Sequence, residues 1–332
     1  MEQDKAAKSS MLVRYIGIPG YQKGLSLQLG IEDFQIFLQL AEQNKIPLFF
    51  LQAATYSKSI KSTLLHYEER YKNTLDLIAY TAALLEKTRV PYALFKTLKP
   101  FPYTPSDIDV LLRSDESLQT VAETLMDHGC ITLDKDNYGI TLFSPRHKMN
   151  IDLTTQIAVS GLVYVDKKLV FEHLCEVKVN DTSVKTLEAP VELLVVAAHS
   201  LFKEQTFTLS DYYTFAILVQ HWREAMKLAE IFHLELALEM ALKTTRQVTA
   251  SSFGSANALM REFTELGTIN LLNEAEEREM PKKYDLSFLM LAFLRKVIED
   301  PVSRHSLSCM ARSISNPAFY GKLMQHITRR TY

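Results

Sequence analysis

Within Pro105-Ser106-Asp107-Ile108-Asp109-Val110-Leu111-Leu112 two carboxylates sit at alternate positions of an apolar run. In a β-strand, residues two apart share a face, so Asp107 and Asp109 emerge side by side while Ile108 and Leu112 face elsewhere. Like charges held that close repel and raise a carboxyl pKa unless a cation lies between them. Such a strand end is either a pair of solvated aspartates or a place for a hard divalent cation, which prefers oxygen ligands. The order of elements around it bears on that choice.

At 332 residues the chain is long for one domain and comfortable for two. Its composition, 47% hydrophobic and 23% charged, is that of an ordinary globular protein with a sizeable core. A formal net charge of -2 gives no global attraction to nucleic acid or to a membrane. Cys130, Cys175 and Cys309 are far apart and lack Cys-x-x-Cys spacing. They form neither a disulfide framework nor a zinc site, which fits a reducing, cytoplasmic setting. No apolar run of about 18 residues predicts a transmembrane helix, and the polar start Met1-Glu2-Gln3-Asp4-Lys5 does not resemble a signal peptide. Only 10 glycines point to a helix-rich chain. Neither G-x-G-x-x-G nor G-x-x-x-x-G-K-[ST] occurs, so Gly-rich phosphate loops are excluded.

Residues 1 to about 10 are expected as a frayed tail. Apolar residues at helical spacing predict helices from Ile31 to Gln43 and from about Ala53 to Lys87, with a short apolar patch at Ile46 to Phe50 between them. Val90-Pro91 ends the second pattern, because the residue before proline is disfavoured in a helix. Tyr92 to Phe95 reads as a strand, Lys96 to Ser106 as a loop with three prolines, and residues 107–112 as the next strand. Ser114-Asp115-Glu116 offers an N-cap and an acidic first turn for a helix burying Leu118, Val121, Ala122 and Leu125. Gly129 stops it. Cys130–Leu133 and Gly139–Phe143 read as a hairpin through Asp136-Asn137, and a further strand, Lys148 to Leu153, carries Asp152. Residues 164–176 are expected as helix, 176–179 and 183–187 as a second hairpin. From Pro190 the pattern is helical to about Arg330. The expected division is an N-terminal helical region (1–67), an α/β core (68–188) and a C-terminal helical domain (189–332).

That order can place Asp152 on a strand beside Asp107 and Asp109. Three carboxylates at one sheet edge repel one another with nothing to offset it unless metal is bound. Such a set would hold two Mg²⁺ ions, or Mn²⁺, bridged through a nucleotide's phosphates.

In this arrangement the sequence resembles the nucleotidyltransferases of the DNA polymerase beta superfamily, in particular the uncharacterised bacterial and archaeal type. The resemblance covers roughly residues 70–215. It lies in the strand ending at Phe95-Lys96-Thr97, in Asp107-Ile108-Asp109-Val110, in Ile151-Asp152-Leu153, and in the preceding Leu84-Leu85-Glu86-Lys87 and Val90-Pro91-Tyr92. It continues through Val184 to Leu187, Pro190-Val191-Glu192-Leu193-Leu194 and Ala198-His199. It implies an α+β fold, a mixed-sheet nucleotidyltransferase core with helical regions on both sides, and Mg²⁺-dependent transfer of a nucleoside monophosphate from an NTP to a hydroxyl. By the resemblance Asp107 and Asp109 bind both metals, and Asp152 binds the metal that activates the acceptor. The nucleotide-binding candidates are Lys96, Thr97, Lys99 and Ser106. Lys96-Thr97 stands where the family carries Gly-Ser or Gly-Gly, and Thr104-Pro105-Ser106 where it often has an arginine. A bulky residue there hinders the close backbone approach to phosphate that glycine permits. This leaves a second expectation, a catalytically inactive member that binds RNA or protein.

Other chemistry-bearing residues have plainer readings. His199 lies on an apolar helix and is expected as a buried, hydrogen-bonded histidine, and His147 as a turn residue. Ser210 or Asp211 is expected to cap a helix, and Tyr212, Tyr213, Phe215 and Trp222 to lie in the core. From Pro281 to Tyr332 the cations Lys282, Lys283, Arg295, Lys296, Arg304, Arg312, Lys322, Arg329 and Arg330 outnumber the acids. They form either an RNA-tracking face or a solvated surface compensated by the acidic Glu274, Glu276, Glu277 and Glu279. No motif in the helical half names the acceptor.

Overall fold

The computed structural model describes residues 2–25, 29–53, 61–136, 138–255, 257–262 and 279–313, with the side chains of 2–4 and 310–313 left aside. Four helices lead in: α1 Glu2–Ile16, α2 Ile31–Gln43, α3 Pro47–Ala53 and α4 Lys61–Thr88. The core sheet follows, with β1 Tyr92–Leu94, β2 Asp107–Leu112, helix α5 Ser117–Asp127, β3 Ile131–Lys135, β4 Gly139–Ser144 and β5 Met149–Thr154. Its strand order is β1-β2-β5-β4-β3. β2 and β5 run parallel, and the other neighbours antiparallel. This is an α+β fold with a mixed sheet.

One face of that sheet fixes its register. Ile108, Val110 and Leu112 of β2, Ile140 and Leu142 of β4, and Met149, Ile151 and Leu153 of β5 form one buried cluster with Leu77, Ile78, Leu84 and Leu85 of α4 and Val121 and Leu125 of α5. A slip of one residue in β2 would turn Asp107 and Asp109 into this core. It would also expose side chains whose burial contributes about 1.5–3 kcal/mol each. The apolar residues between the aspartates therefore hold the aspartates on the opposite, polar face.

Beyond the sheet come a short ribbon, β6 Ile157–Val159 with β7 Leu162–Val165, helix α6 Lys167–Glu172, and the hairpin β8 Leu174–Val179 with β9 Thr182–Leu187. The helical expectation for 164–176 is thus corrected. Asp166 caps a helix of under two turns by accepting from the Lys168 N–H at 2.9 Å, and strands take both flanks. Helix α7 Ala189–Ala198 begins with Pro190 in its first turn, as expected. It passes into a π-helical turn, His199–Lys203, closed by the Glu204 N–H donating to the His199 carbonyl at 3.0 Å. Helices α8 Leu209–Leu218, α9 Trp222–Phe232, α10 Glu235–Phe253, α11 Ala258–Glu262, α12 Leu286–Glu299 and α13 Pro301–Ser313 follow among the described residues. The helical expectation beyond 313 lies outside the described residues. No helix of the described residues is long and apolar enough to cross a membrane.

The N-terminal tail is also corrected, since Glu2–Ile16 is helical. Its Ser9 hydroxyl accepts from the Met280 N–H at 3.0 Å. Arg14 donates to the Ser252 and Ser251 carbonyls at 2.6 and 3.3 Å, at the end of α10 where unpaired carbonyls favour a cation. One buried cluster joins Leu12, Phe34 and Phe50 to Leu193, Tyr212 and Leu238. The leading helices and the C-terminal helices therefore share a core, and both pack on the polar side of the sheet through Ala93, Phe95 and Leu111. Helix α5 starts at Ser117 with no side-chain cap, later than Ser114 suggested. Helix α8 is capped by Thr208, with Asp211 at its third position completing a capping box, so neither Ser210 nor Asp211 is the cap itself.

Candidate active site

Asp109 of β2 and Asp152 of β5 are directly paired in the parallel ladder, and Asp107 pairs with Asn150. Alternation puts all three aspartates on the sheet face turned away from the α4–α5 cluster. There the sheet is met by two adjoining cavities, of about 450 and 160 Å³. Lys96, Asp109 and Lys203 line both. Asp107, Lys99 and Ser106 line the larger one, Asp152 the smaller.

The electrostatics of the three carboxyls differ. Burial, then the charge of Asp109, pushes Asp107 up, and Lys96 offsets part of this. Burial also acts on Asp109, but the charges of Lys96 and Lys203 outweigh it and hold that carboxyl below the usual range. Asp152 is pushed up to about 6, by burial first and by Asp107 next. Its Oδ1 is buried without a hydrogen-bond partner among the described residues.

The turn between β1 and β2 is tied to Asp109 at both ends. Phe95 N–H donates to the Asp109 carbonyl at 3.2 Å. The Thr97 hydroxyl accepts the Asp109 N–H at 2.9 Å and donates to the Phe95 carbonyl at 3.2 Å. Thr97 is 3% exposed and lines neither cavity. Its hydroxyl shapes the turn. At the apex Lys96 takes a left-handed backbone, φ +60°, which costs a residue with a Cβ about 1–2 kcal/mol. The conformation that would suit a glycine is therefore kept, with a lysine in it. The Lys96 ammonium lies 3.0 Å from Asp109 Oδ1 and 4.7 Å from the centre of the Phe95 ring. Lys99 is committed elsewhere, in a buried ion pair with Glu192 of α7 at 2.9 Å. Ser106 donates to Asp107 Oδ1 at 3.1 Å.

Several wall residues were not foreseen. The π turn carries His199, Lys203 and Glu204 to the larger cavity. π turns of this kind recur at functional sites. Burial pushes His199 down to about 3, so its ring is neutral. Nε2–H then donates to Glu204 Oε1 at 3.2 Å, leaving Nδ1 to accept from the Tyr164 hydroxyl at 3.0 Å. That bond holds Glu204 well below the usual carboxylate range. His199 is hydrogen-bonded, as its apolar helix suggested, but only partly buried, because it faces the cavity. Lys203 makes no hydrogen bond or ion pair among the described residues, and its pKa is lowered, first by Lys96 and then by burial. Arg70 of α4 enters the same cavity and donates to the Pro105 carbonyl at 3.0 Å. An arginine thus reaches the segment before Asp107 from a distant helix. The only local hint of Lys203 is its position four residues after His199; Arg70 left no local signal.

As the side chains stand, no three His, Cys, Asp or Glu among the described residues form a group that could hold a metal ion. The donor set nevertheless fits a hard divalent cation. Its ligands would be carboxylate oxygens, one of them orphaned, and two of the three carboxyls are raised, by burial first and then by the like charges beside them.

Residues 104–250 match the family model described as "Uncharacterised nucleotidyltransferase", a span that includes Asp107, Asp109 and Asp152. The chain has a nucleotidyltransferase fold. A solved structure similar to it is an antigenic nucleotidyltransferase-like protein from Paracoccidioides brasiliensis, 12% identical, covering 55% of this chain and 92% of that one with a TM-score of 0.38. No curated protein matches the chain. In this nucleotidyltransferase fold two of the described C-terminal cations are used internally. Arg295 bonds Glu299 at 2.9 Å. Lys296 is buried against Asp300 at 2.8 Å and donates to the Phe232 and His233 carbonyls. Lys322, Arg329, Arg330, the Arg312 side chain, Glu274, Glu276 and Glu277 lie outside the described residues.

Proposed function

We propose that this protein is a Mg²⁺-dependent nucleotidyltransferase that moves a nucleoside monophosphate from an NTP to a hydroxyl on RNA, protein or a small molecule and releases pyrophosphate. The observation that carries the reading is the in-register pair Asp109–Asp152, with Asp107 two residues earlier, on the wall between two adjoining cavities. Divalent cations, when bound there, would neutralise phosphoryl charge and lower the pKa of the attacking hydroxyl.

The remaining roles fall to this chain's own groups. Asp107 and Asp109 would hold both cations. Asp152 would hold one and, as a carboxylate beside the smaller cavity, would help take the acceptor's proton. The larger cavity is of a size for a nucleotide. Lys203 and Arg70, with Lys96, would place positive charge against its phosphates. The smaller cavity, beside Asp152, would take the reacting end of the acceptor. Positioning and charge stabilisation suffice for such a transfer.

The test is incubation with Mg²⁺ and each labelled NTP in the presence of RNA, protein and small hydroxyl acceptors. Wild type should transfer label, and Asp109→Ala should lose about 10³-fold or more. A fully active Asp109→Ala variant would sink the reading. A second reading, a binding module that keeps the fold without transfer, is favoured by the Lys96–Asp109 pair and the missing glycine. Titration calorimetry with ATP and CTP in Mg²⁺ separates the two: heat supports the enzyme, and silence with every nucleotide supports the module.

A further inference from the structure

Asp109 is neutralised by a lysine from the adjoining loop, whereas among the described residues no cation is bonded to Asp107 or Asp152. The Lys96 and Asp109 side chains are only 11% and 17% exposed, so water screens the pair little. The lysine is held there by a turn closed on both sides through the Asp109 backbone. A divalent cation that uses Asp109 Oδ1 competes with this ammonium and is repelled by it at close range. Displacing it into a cavity already holding the Lys203 ammonium is unfavourable unless an anion arrives to receive it. The polyphosphate of a nucleotide is such an anion, and Lys96 already lines the cavity that would hold it.

We propose that Lys96 is the resident counter-ion of Asp109 and yields only when a divalent cation arrives with a nucleotide, so that metal binding to the free protein is weak and coupled to nucleotide. The inference rests on the nucleotidyl-transfer reading of the same site. By linkage the coupling is reciprocal: nucleotide favours metal by the same factor that metal favours nucleotide.

Mn²⁺, followed by electron paramagnetic resonance without nucleotide, tests this on the full chain, Lys96→Gly and Lys96→Gln. Glycine suits the left-handed backbone at this position, so Lys96→Gly removes the ammonium without strain; thermal melts of both variants check folding. Both variants should take up Mn²⁺ at least about tenfold more tightly than wild type. A non-transferable ATP analogue should close that gap, and Asp109→Asn added to Lys96→Gly should abolish the gain. Equal uptake by wild type and both variants without nucleotide would overturn the proposal and leave the transferase reading standing. No Mn²⁺ uptake by any of them, with or without the analogue, would bring down both.

Discussion

Two lysines three residues apart on one loop end in opposite situations. Lys99 reaches Glu192 on α7, both side chains being less than a tenth exposed, and the pair ties the loop to the C-terminal helices. Lys96 reaches Asp109, but Asp109 has two more carboxylates nearby and two cavities beside it. A buried ion pair is thus a strut where the acid is otherwise unengaged. It becomes an exchangeable occupant where the acid belongs to a larger set of oxygens open to ligand. Distance alone does not distinguish the two, 2.9 Å against 3.0 Å; their surroundings do.

The largest effect is expected at the strut. Lys99→Met leaves Glu192 charged and buried, so urea unfolding should show a loss of about 3–5 kcal/mol, most of it recovered in Lys99→Met/Glu192→Leu. A harmless Lys99→Met would erase the contrast. Next comes Thr97→Val, which orphans the Asp109 N–H and should cost about 1–3 kcal/mol. If it also weakens nucleotide binding, the turn positions Asp109 as well as supporting the fold. Lys96→Gly should cost about 1 kcal/mol or less, because relief of the left-handed backbone offsets much of the lost pair. A loss as large as that of Lys99→Met would make Lys96 a strut too.

The smallest effect is on pH dependence. The Asp152 carboxyl is raised from 3.8 to about 6, so the folded protein binds more protons than the unfolded chain between those values. Its stabilising contribution is full below 3.8 and is lost as pH rises through about 6. Melting temperature of metal-free protein should therefore fall by a few degrees over that window. Asp152→Asn should reduce the slope, leaving the part due to the raised Asp107, and Mg²⁺ should flatten it. An unchanged slope in Asp152→Asn would place the titration elsewhere.

Strands β2, β4 and β5 were legible because their buried and open positions alternate with period two, and that alternation also set which face carries Asp107, Asp109 and Asp152. Pro190 likewise marked the start of a buried helix. Residues 164–176 misled because a run of Leu, Val, Tyr and Phe suits a short buried strand as well as a helix, and pairing within each ribbon decided the matter. The N-terminal helix looked like a tail because its order comes from Met280, Ser251 and Ser252, far along the chain. The π turn has no sequence signature, so Lys203 was not read as a wall residue. Thr97 was read as a phosphate donor, while the structure gives both of its hydroxyl hydrogen bonds to the turn.

The sequence by itself determined the alternation that seats three aspartates on one face of a mixed sheet, since backbone geometry alone dictates where successive side chains point. Tertiary structure decided which cations meet those aspartates. Lys96 turns back onto Asp109 because its loop closes on the strand, Lys99 is drawn off by Glu192, and Lys203 and Arg70 arrive from helices distant in the chain. Charge pairing depends on separation in space, and that separation exists only once the helices on both sides of the core have packed together.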